Sequence, residues 1–281
     1  MKNASIRFAY FGTSEFAVNV LDELKTNGFL PSLIVTTEDK PKGRKLLLTP
    51  PPVKVWATLN NIKFIQPKTL KTSEFITEFK SYDLDLSIVA SYGKIIPKDV
   101  IEAPKHQTLN VHPSLLPKLR GSSPIQSSIL SEDKSGVTIM KIDELVDHGP
   151  ILLQKDVVIE WPPYANELEK VCGKQGGEML SEIIPKWING EVQEIEQNHN
   201  EATFTKKIEK SDGEIKLSDD PEVNLRKIRA FNVWPNAFYF DDNKRIIIKT
   251  AHIENGELIL DRVVPEGKKE MDYKDYLRGK K

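Results

Sequence analysis

Hydrophobic and polar positions along this chain alternate between two rhythms. Residues 6–12, IRFAYFG, form a short apolar run that closes on glycine, as a buried strand does. The next stretch, TSEFAVNVLDELKTNGF, spaces Phe16, Val20, Leu21 and Leu24 at helical intervals and stops at Gly28. PSLIVTT (31–37) returns to the strand pattern. Strand, helix and strand in this order predict a parallel sheet covered by helices. LDLSIVASYG (84–93), TLNVH (108–112), GVTIMKI (136–142) and the longer ILLQKDVVI (151–159) extend the strand series. Residues 164–189 predict a long helix resting on Leu168, Val171, Met179, Leu180, Ile183, Ile184 and Trp187.

The pattern then breaks. Residues 190–203, GEVQEIEQNHNEAT, are polar and poor in large apolar groups, which predicts a linker between a domain over 1–189 and another over 204–281. The second part opens with a helix over about 221–231, capped by Asp219 or Asp220 with Pro221 in its first turn. AFYF, RIIIKT and ELIL follow, separated by the turn signals DDNK and ENG. Short strands so close together predict a small barrel or sheet. Phe231 and Trp234, in IRAFNVWP, read as core of this part rather than as a base-stacking platform.

Composition narrows the picture. A length of 281 residues, 39% of them hydrophobic, suits two domains. Forty basic against 41 acidic residues give no strong polyanion field from the total, and the small positive excess beyond residue 204 allows nucleic-acid binding without requiring it. The single cysteine, Cys172, excludes an intrachain disulfide framework and argues against a thiolate metal site. None of the histidines, 106, 112, 148, 199 and 252, stands four residues from another, so metal-ligand spacing is missing. MKNASIRFAYFG lacks the apolar stretch of a signal peptide, and no apolar run approaches the roughly 20 residues that span a bilayer. The expectation is a soluble protein of the reducing cytoplasm, monomeric and without a membrane partner.

Two places invite a chemical reading. The first strand–helix turn, Gly12-Thr13-Ser14-Glu15, has neither G-x-G-x-x-G nor G-x-x-x-x-G-K-[ST], so it gives no reason to expect NAD or ATP, and Thr13 or Ser14 reads as a helix cap. LNVHPSLLPKLRGSSPIQ (109–126) is different. Asn110 and His112, two apart on a strand, share one face at its C-terminal end, where open α/β sheets bind ligands. An amide and an imidazole can hydrogen-bond one oxygen together, and where that oxygen turns negative they form an oxyanion hole. A carboxylate is then wanted beside the imidazole. Asp147, in DELVDHGPILL, is the best placed, because Asp143 and Glu144 sit nearer the strand end and read as solvated, while His148 reads as a plain loop residue at the same mouth. Ser114 follows a proline outside G-x-S-x-G, so no hydrolase triad is indicated. On the residues alone, two readings stay open: an acyl- or one-carbon-transfer site, or a structural strand-end histidine with a turn aspartate.

GTSEFAV, ASYGKIIPKDVI, LNVHPSLLPKLRGSSPIQ, GVTIMKIDELVDHGPIL, IRAFNVWP and PEGKKEMDYKDYLRG, in this order, resemble the methionyl-tRNA formyltransferase family over nearly the whole chain. The central block and DHGPIL are shared with other formyltetrahydrofolate-dependent formyltransferases. GTSEFAV, DKPKGRKLLLTPPPVK and RAFNVWP point to the tRNA-directed branch. The resemblance implies an α/β protein: a Rossmann-like formyltransferase domain with a mixed, mostly parallel sheet, then a small OB-like, β-barrel-like tRNA-binding domain. It implies transfer of the formyl group of 10-formyltetrahydrofolate to the amino group of methionyl-initiator tRNA, with no metal. Asn110, His112 and Asp147 fall on the family's catalytic trio. Ser114, Leu115, Leu116 and Pro117 fall on the folate-binding turn, and Tyr92, Gly93, Ile95, Ile96 and Pro97 on the lining of the pterin pocket. Lys40, Lys42, Arg44 and Lys45 fall on a loop that reaches the tRNA acceptor stem, where Leu46, Leu47 and Leu48 either wedge against an end base pair or pack on the body.

The chain departs from the family pattern in two places. After RIIIKTAHIENGELIL it is shorter by about one strand pair, which predicts a reduced or partly open barrel. The Thr/Ser-rich helix entry between DVVIEWPP and YANELEKV is eroded. A formyltransferase acting on a sugar-nucleotide amine or a glycinamide would keep the trio and the folate turn without needing the basic loop. A catalytically idle RNA-binding module would not need the trio.

Overall fold

The computed structural model describes residues 6–43 and 46–280. The chain forms two compact units. The first comprises residues up to Ser122, Gly136–Val157 and Glu169–Phe204, and the second Ser123–Ser135, Val158–Leu168 and the chain from Thr205 on.

In the first unit the strands are β1 (Phe8–Gly12), β2 (Leu33–Val35), β3 (Lys40–Lys42), β4 (Leu47–Thr49), β5 (Phe64–Ile65), β6 (Leu86–Ala90), β7 (Thr108–His112), β8 (Gly136–Lys141) and β9 (Ile151–Asp156). Seven form one sheet in the order β5-β2-β1-β6-β7-β8-β9, and β3 pairs with β4 as a separate hairpin. β5, β2, β1, β6 and β7 run parallel, whereas β7–β8 and β8–β9 pair antiparallel, so the sheet is mixed and mostly parallel as expected. Every residue of β1, β6 and β7 is buried, the consequence of helices covering both faces.

The helices here are α1 (Glu15–Thr26), α2 (Pro52–Leu59), α3 (Ser73–Ser81), α4 (Lys98–Ile101) and most of α6 (Ala165–Ile188). α1 buries Phe16, Val20, Leu21 and Leu24, the residues its spacing selected. Its cap is not the expected one. Ser14 occupies the N-cap position without a side-chain cap bond, and Thr13 Oγ1 donates instead to the Tyr92 carbonyl at 2.9 Å. The carboxylate of Glu169, from α6, accepts from the Phe16 amide at 2.9 Å and takes over the capping role.

α6 lies very close to the strand that matters most. A Cβ added at Gly176 would stand 2.5 Å from Val111 Cγ1, and one at Gly173 2.5 Å from Asn19 Cβ. Only glycine permits that approach. Val111 alternates with Asn110 and His112, so α6 braces β7 on the face opposite those two side chains.

The polar stretch 190–203, expected as a linker, is anchored to the first unit. Ile195 and Ile151 exchange backbone hydrogen bonds of 2.8 and 2.9 Å, and the Arg120 amide donates to the Thr203 carbonyl at 2.9 Å. Its low apolar content misleads, because the segment attaches through hydrogen bonds rather than through packing.

The second unit contains α5 (Pro124–Ser131), α7 (Pro221–Ala230) and α8 (Tyr273–Arg278), with β10 (Phe238–Asp241), β11 (Lys244–Glu254), β12 (Glu257–Pro265) and β13 (Met271–Asp272). The four strands make an antiparallel sheet in sequence order, with β10 and β13 as its outer strands, so of the small barrel or sheet expected it is the open sheet that forms among the described residues. Leu225 and Ile228 of α7, Tyr276 of α8 and Ile246, Ile248, Leu260 and Val263 of the sheet share one core. Asp220, not Asp219, caps α7: its side chain accepts from the Val223 amide at 3.0 Å. Phe231 is buried as expected, but Trp234 is 51% exposed, because its segment leaves the helix end as a turn. Where α6 begins, the missing Ser/Thr cap is replaced in part by Glu167, whose carboxylate accepts from the Tyr164 amide at 3.1 Å.

Candidate active site

β7 delivers Asn110 and His112 to the C-terminal end of the parallel strands, and both are at least nine-tenths buried. Period-two alternation puts both side chains on one face, as the sequence required. The imidazole is held first by its own chain: Nε2 donates to the Leu119 carbonyl at 2.9 Å. A carbonyl can only accept, so Nε2 carries a proton and Nδ1 is the nitrogen left for chemistry. Nδ1 lies 3.7 Å from Asp147 Oδ1, longer than a hydrogen bond but within ion-pair distance and reach of a bridging water. The Asn110 amide has no side-chain hydrogen bond to any of the described residues.

Asp147 is fixed from two sides. Its Oδ2 accepts from the Gly121 amide at 2.7 Å. Its backbone, in the left-handed region at φ +48°, presents a carbonyl that accepts from Gln197 Nε2 at 3.0 Å. Leu119 and Gly121 also have positive φ, +60° and +111°. That unusual pair of conformations lets one short turn aim a carbonyl at His112 and an amide at Asp147.

The other sequence candidates fall into distinct places. Asp143 and Glu144 are not simply solvated. Asp143 Oδ2 pairs with His148 Nδ1 at 2.6 Å, and Glu144 pairs with Lys98 Nζ at 2.6 Å, which holds the lysine above its usual range. The Lys98–Glu144 pair ties the segment 92–97 to the loop carrying Asp147. Ile95, Leu145 and Val146, 81%, 61% and 63% exposed, stand on these two segments. Ile96 and Pro97 are half-buried and Gly93 is exposed at φ +79°. Tyr92 turns inward: its ring meets Phe11 edge-on at 5.4 Å, and burial pushes its phenol well up.

The Ser114–Pro117 turn is built into the body. Ser114 Oγ donates to the Lys118 carbonyl at 2.7 Å, and the Leu116 carbonyl accepts from Gln154 Nε2 at 2.9 Å. Leu116 is buried, while Leu115 and Pro117 are half-buried. Lys40 and Lys42 are exposed on β3. Arg44 and Lys45 lie outside the described residues. Leu46, Leu47 and Leu48 are 72%, 65% and 69% exposed, so they do not pack on the body. The basic loop is a hairpin, an arrangement its Gly and Pro content concealed.

Sequence reasoning missed Leu119, Arg120, Gly121, Gln197 and His199. The first three stand in the quoted LRG, but Leu119 and Gly121 act through backbone groups, which leave no side-chain signal. Gln197 and His199 were hidden in the polar stretch. Among the described residues no group of three His, Cys, Asp or Glu side chains is arranged to hold a metal ion, and no helix is long and apolar enough to cross a membrane.

Comparison with known proteins bears on this geometry. Residues 5–184 match the family described as Formyl transferase, and residues 207–258 match Formyl transferase, C-terminal domain. A methionyl-tRNA formyltransferase of Thermodesulfovibrio yellowstonii is 37% identical, across 97% of this chain and 95% of its own. One from Thermotoga maritima is 39% identical, across 86% of this chain and 77% of its own. Among solved structures, a methionyl-tRNA formyltransferase from Clostridium thermocellum superposes with a TM-score of 0.63 at 20% identity, covering 92% of this chain and 98% of that one. An N-formyltransferase from Helicobacter canadensis, in complex with folinic acid and dTDP-3-aminofucose, gives 0.63 at 21% identity over 89% and 88%. At such identities the two structures speak for the fold.

Proposed function

The chain belongs to the formyl transferase family, and from that premise we propose that it formylates the amino group of methionyl-initiator tRNA, with 10-formyltetrahydrofolate as the donor and Asn110, His112 and Asp147 as the catalytic residues. The observation that carries this reading is the approach of His112 Nδ1 to Asp147 Oδ1, 3.7 Å, beside the open amide of Asn110 at the end of β7. Identity of 37% over nearly the full length of a methionyl-tRNA formyltransferase supports the acceptor.

The chemistry follows from the groups present. The bound donor supplies an electrophilic formyl carbon. As the amine adds to it, the formyl oxygen becomes negative. Asn110 Nδ2 donates to that oxygen from a nearly dry position, and His112, as the imidazolium with its second proton on Nδ1, donates from there. Each such donor is worth about 3–4 kcal/mol in comparable holes. The attacking nitrogen must lose a proton, and Asp147 is the base within reach, directly or through one water. The leaving nitrogen of the donor gains a proton, so the proton count closes. Leu119 and Gly121 keep imidazole and carboxylate in register throughout.

The donor needs an apolar slot with backbone hydrogen-bonding groups. Leu145 and Val146, which precede Asp147, and Ile95, on the segment that the Lys98–Glu144 pair ties to the same loop, offer exposed apolar surface, and the backbone of 92–97 and 114–117 offers polar groups. Lys40 and Lys42, with Arg44 and Lys45, supply phosphate contacts for the acceptor, and the solvent-facing leucines 46–48 are free to meet its end base pair.

The test offers purified protein labelled 10-formyltetrahydrofolate with methionyl-initiator tRNA, free methionine or an amino-sugar nucleotide. Label in the tRNA fraction is expected. Label confined to the amino sugar would overturn the acceptor assignment, and label in none would overturn the activity.

A further inference from the structure

Behind Asp147 lies a set of polar contacts that the reaction itself does not use. Gln197, buried, donates its two Nε2 hydrogens to the carbonyls of Asp147 at 3.0 Å and Gly149 at 2.7 Å. Its Oε1 accepts from Arg120, at 3.2 Å from Nε and 2.6 Å from Nη2. Arg120 is 3% exposed, and its Nη2 also donates to His199 Nδ1 at 2.9 Å. The guanidinium lies 6.0 Å from the centre of the Phe204 ring. His199 stacks on His148, with ring centres 4.0 Å apart and planes within 5°.

We propose that Gln197, gripped by Arg120, is a positioning residue for Asp147. The inference rests on the reading of Asp147 as the base. A loop residue at positive φ, flanked by the exposed Val146 and a glycine two positions on, has little to fix it by packing. Carboxylate placement then depends on the Gly121 amide and on where the Asp147 carbonyl is held. Gln197 determines the second. The amide side chain suits the task, because one group must accept from a cation and donate to two carbonyls at once. Neither a carboxylate nor an ammonium can do both. Arg120 completes the brace from the residue between Leu119, which holds His112, and Gly121, which holds Asp147. Three consecutive residues thus set the distance between imidazole and carboxylate.

The test uses Gln197→Glu, which keeps the acceptor for Arg120 and removes both N–H donors, alongside Gln197→Ala. Formyl transfer is measured in wild type, in each variant, in Asp147→Asn and in the Gln197→Glu/Asp147→Asn double variant. Misplacing a reacting group by about an ångström, or losing an outer hydrogen bond, costs about 10- to 100-fold in rate. The expected result for Gln197→Glu is a kcat lower by that factor, with KM for folate and acceptor nearly unchanged and the fold intact by circular dichroism. In the Asp147→Asn background the same change should cost nothing further. A kcat within twofold of wild type, or losses that multiply in the double variant, would overturn the proposal. If neither Gln197 variant folds, Arg120→Lys, which keeps the charge and loses the fork, is read in the same cycle by the same criteria. A wild-type protein that formylates nothing would overturn the functional reading instead, so the two failures are distinguishable.

Discussion

The Gly121 amide donates to Asp147 Oδ2 at 2.7 Å, and one residue of chain separates it from Leu119, whose carbonyl holds His112. A single turn therefore controls both a proposed oxyanion donor and the proposed base. Gly121 sits at φ +111°, where a side chain is strained by about 1–3 kcal/mol. Gly121→Ala should lower the melting temperature by a few degrees and reduce kcat more than stability alone explains. Thermal unfolding and initial rates on the same preparation check this, and a variant with full kcat would separate the turn from catalysis.

Asn110 is the group whose loss should be felt in the rate and hardly in the fold. Its amide has no side-chain hydrogen bond to the described residues, so its removal breaks no internal side-chain hydrogen bond. Asn110→Ala should cost about 10²–10³-fold in kcat, as for a single oxyanion donor elsewhere. Melting should move by no more than a degree or two. Steady-state kinetics and calorimetry decide it.

Lys40 and Lys42 should act on the acceptor alone. Each phosphate contact contributes about 0.7–0.9 to the slope of log affinity against log salt. The Lys40→Ala/Lys42→Ala variant should bind tRNA more weakly, with a slope shallower by about that amount per lysine, and leave the KM for folate as it was. Filter binding across salt concentrations measures it, and an unchanged slope would remove both residues from the interface.

Glu169 gives a pH signature. Burial raises its carboxyl above the usual 4.5, the Phe16 amide pulls it partly back, and the charge of Glu15 adds to the rise. The folded protein therefore holds this proton more tightly than the unfolded chain. The cost of ionising it is absent below the unfolded value and grows as pH climbs through the interval above 4.5. Glu169→Gln keeps an oxygen for Phe16 and removes the charge. It should raise the melting temperature at neutral pH and have little effect near pH 4. An effect independent of pH would contradict this.

Much of the frame was legible because burial imposes periodicity. The β1–α1–β2 opening, α7 and the strands β6 to β9 follow apolar spacing that packing must respect. α2 and α3 were not legible: α3 buries only Phe75 and Phe79, too few positions to set a rhythm. Asn110, His112 and Asp147 could be singled out because each brings a chemically distinct side chain. Their supports could not. Leu119 and Gly121 act through backbone groups, and Gln197 acts through hydrogen bonds from a stretch whose polarity reads as solvation. α6 shows the same limit: Gly173 and Gly176 weaken a helix by propensity, yet they are what lets it reach Asn19 and Val111.

Single-turnover formyl transfer by Asp147→Asn is the most telling observation. Asparagine keeps an oxygen for the Gly121 amide but can neither pair with His112 as an anion nor take a proton from the attacking amine. The rate should fall by at least about 10²-fold, with folate and tRNA binding essentially as in wild type. A rate within threefold of wild type would show that the carboxylate beside His112 takes no part in the reaction.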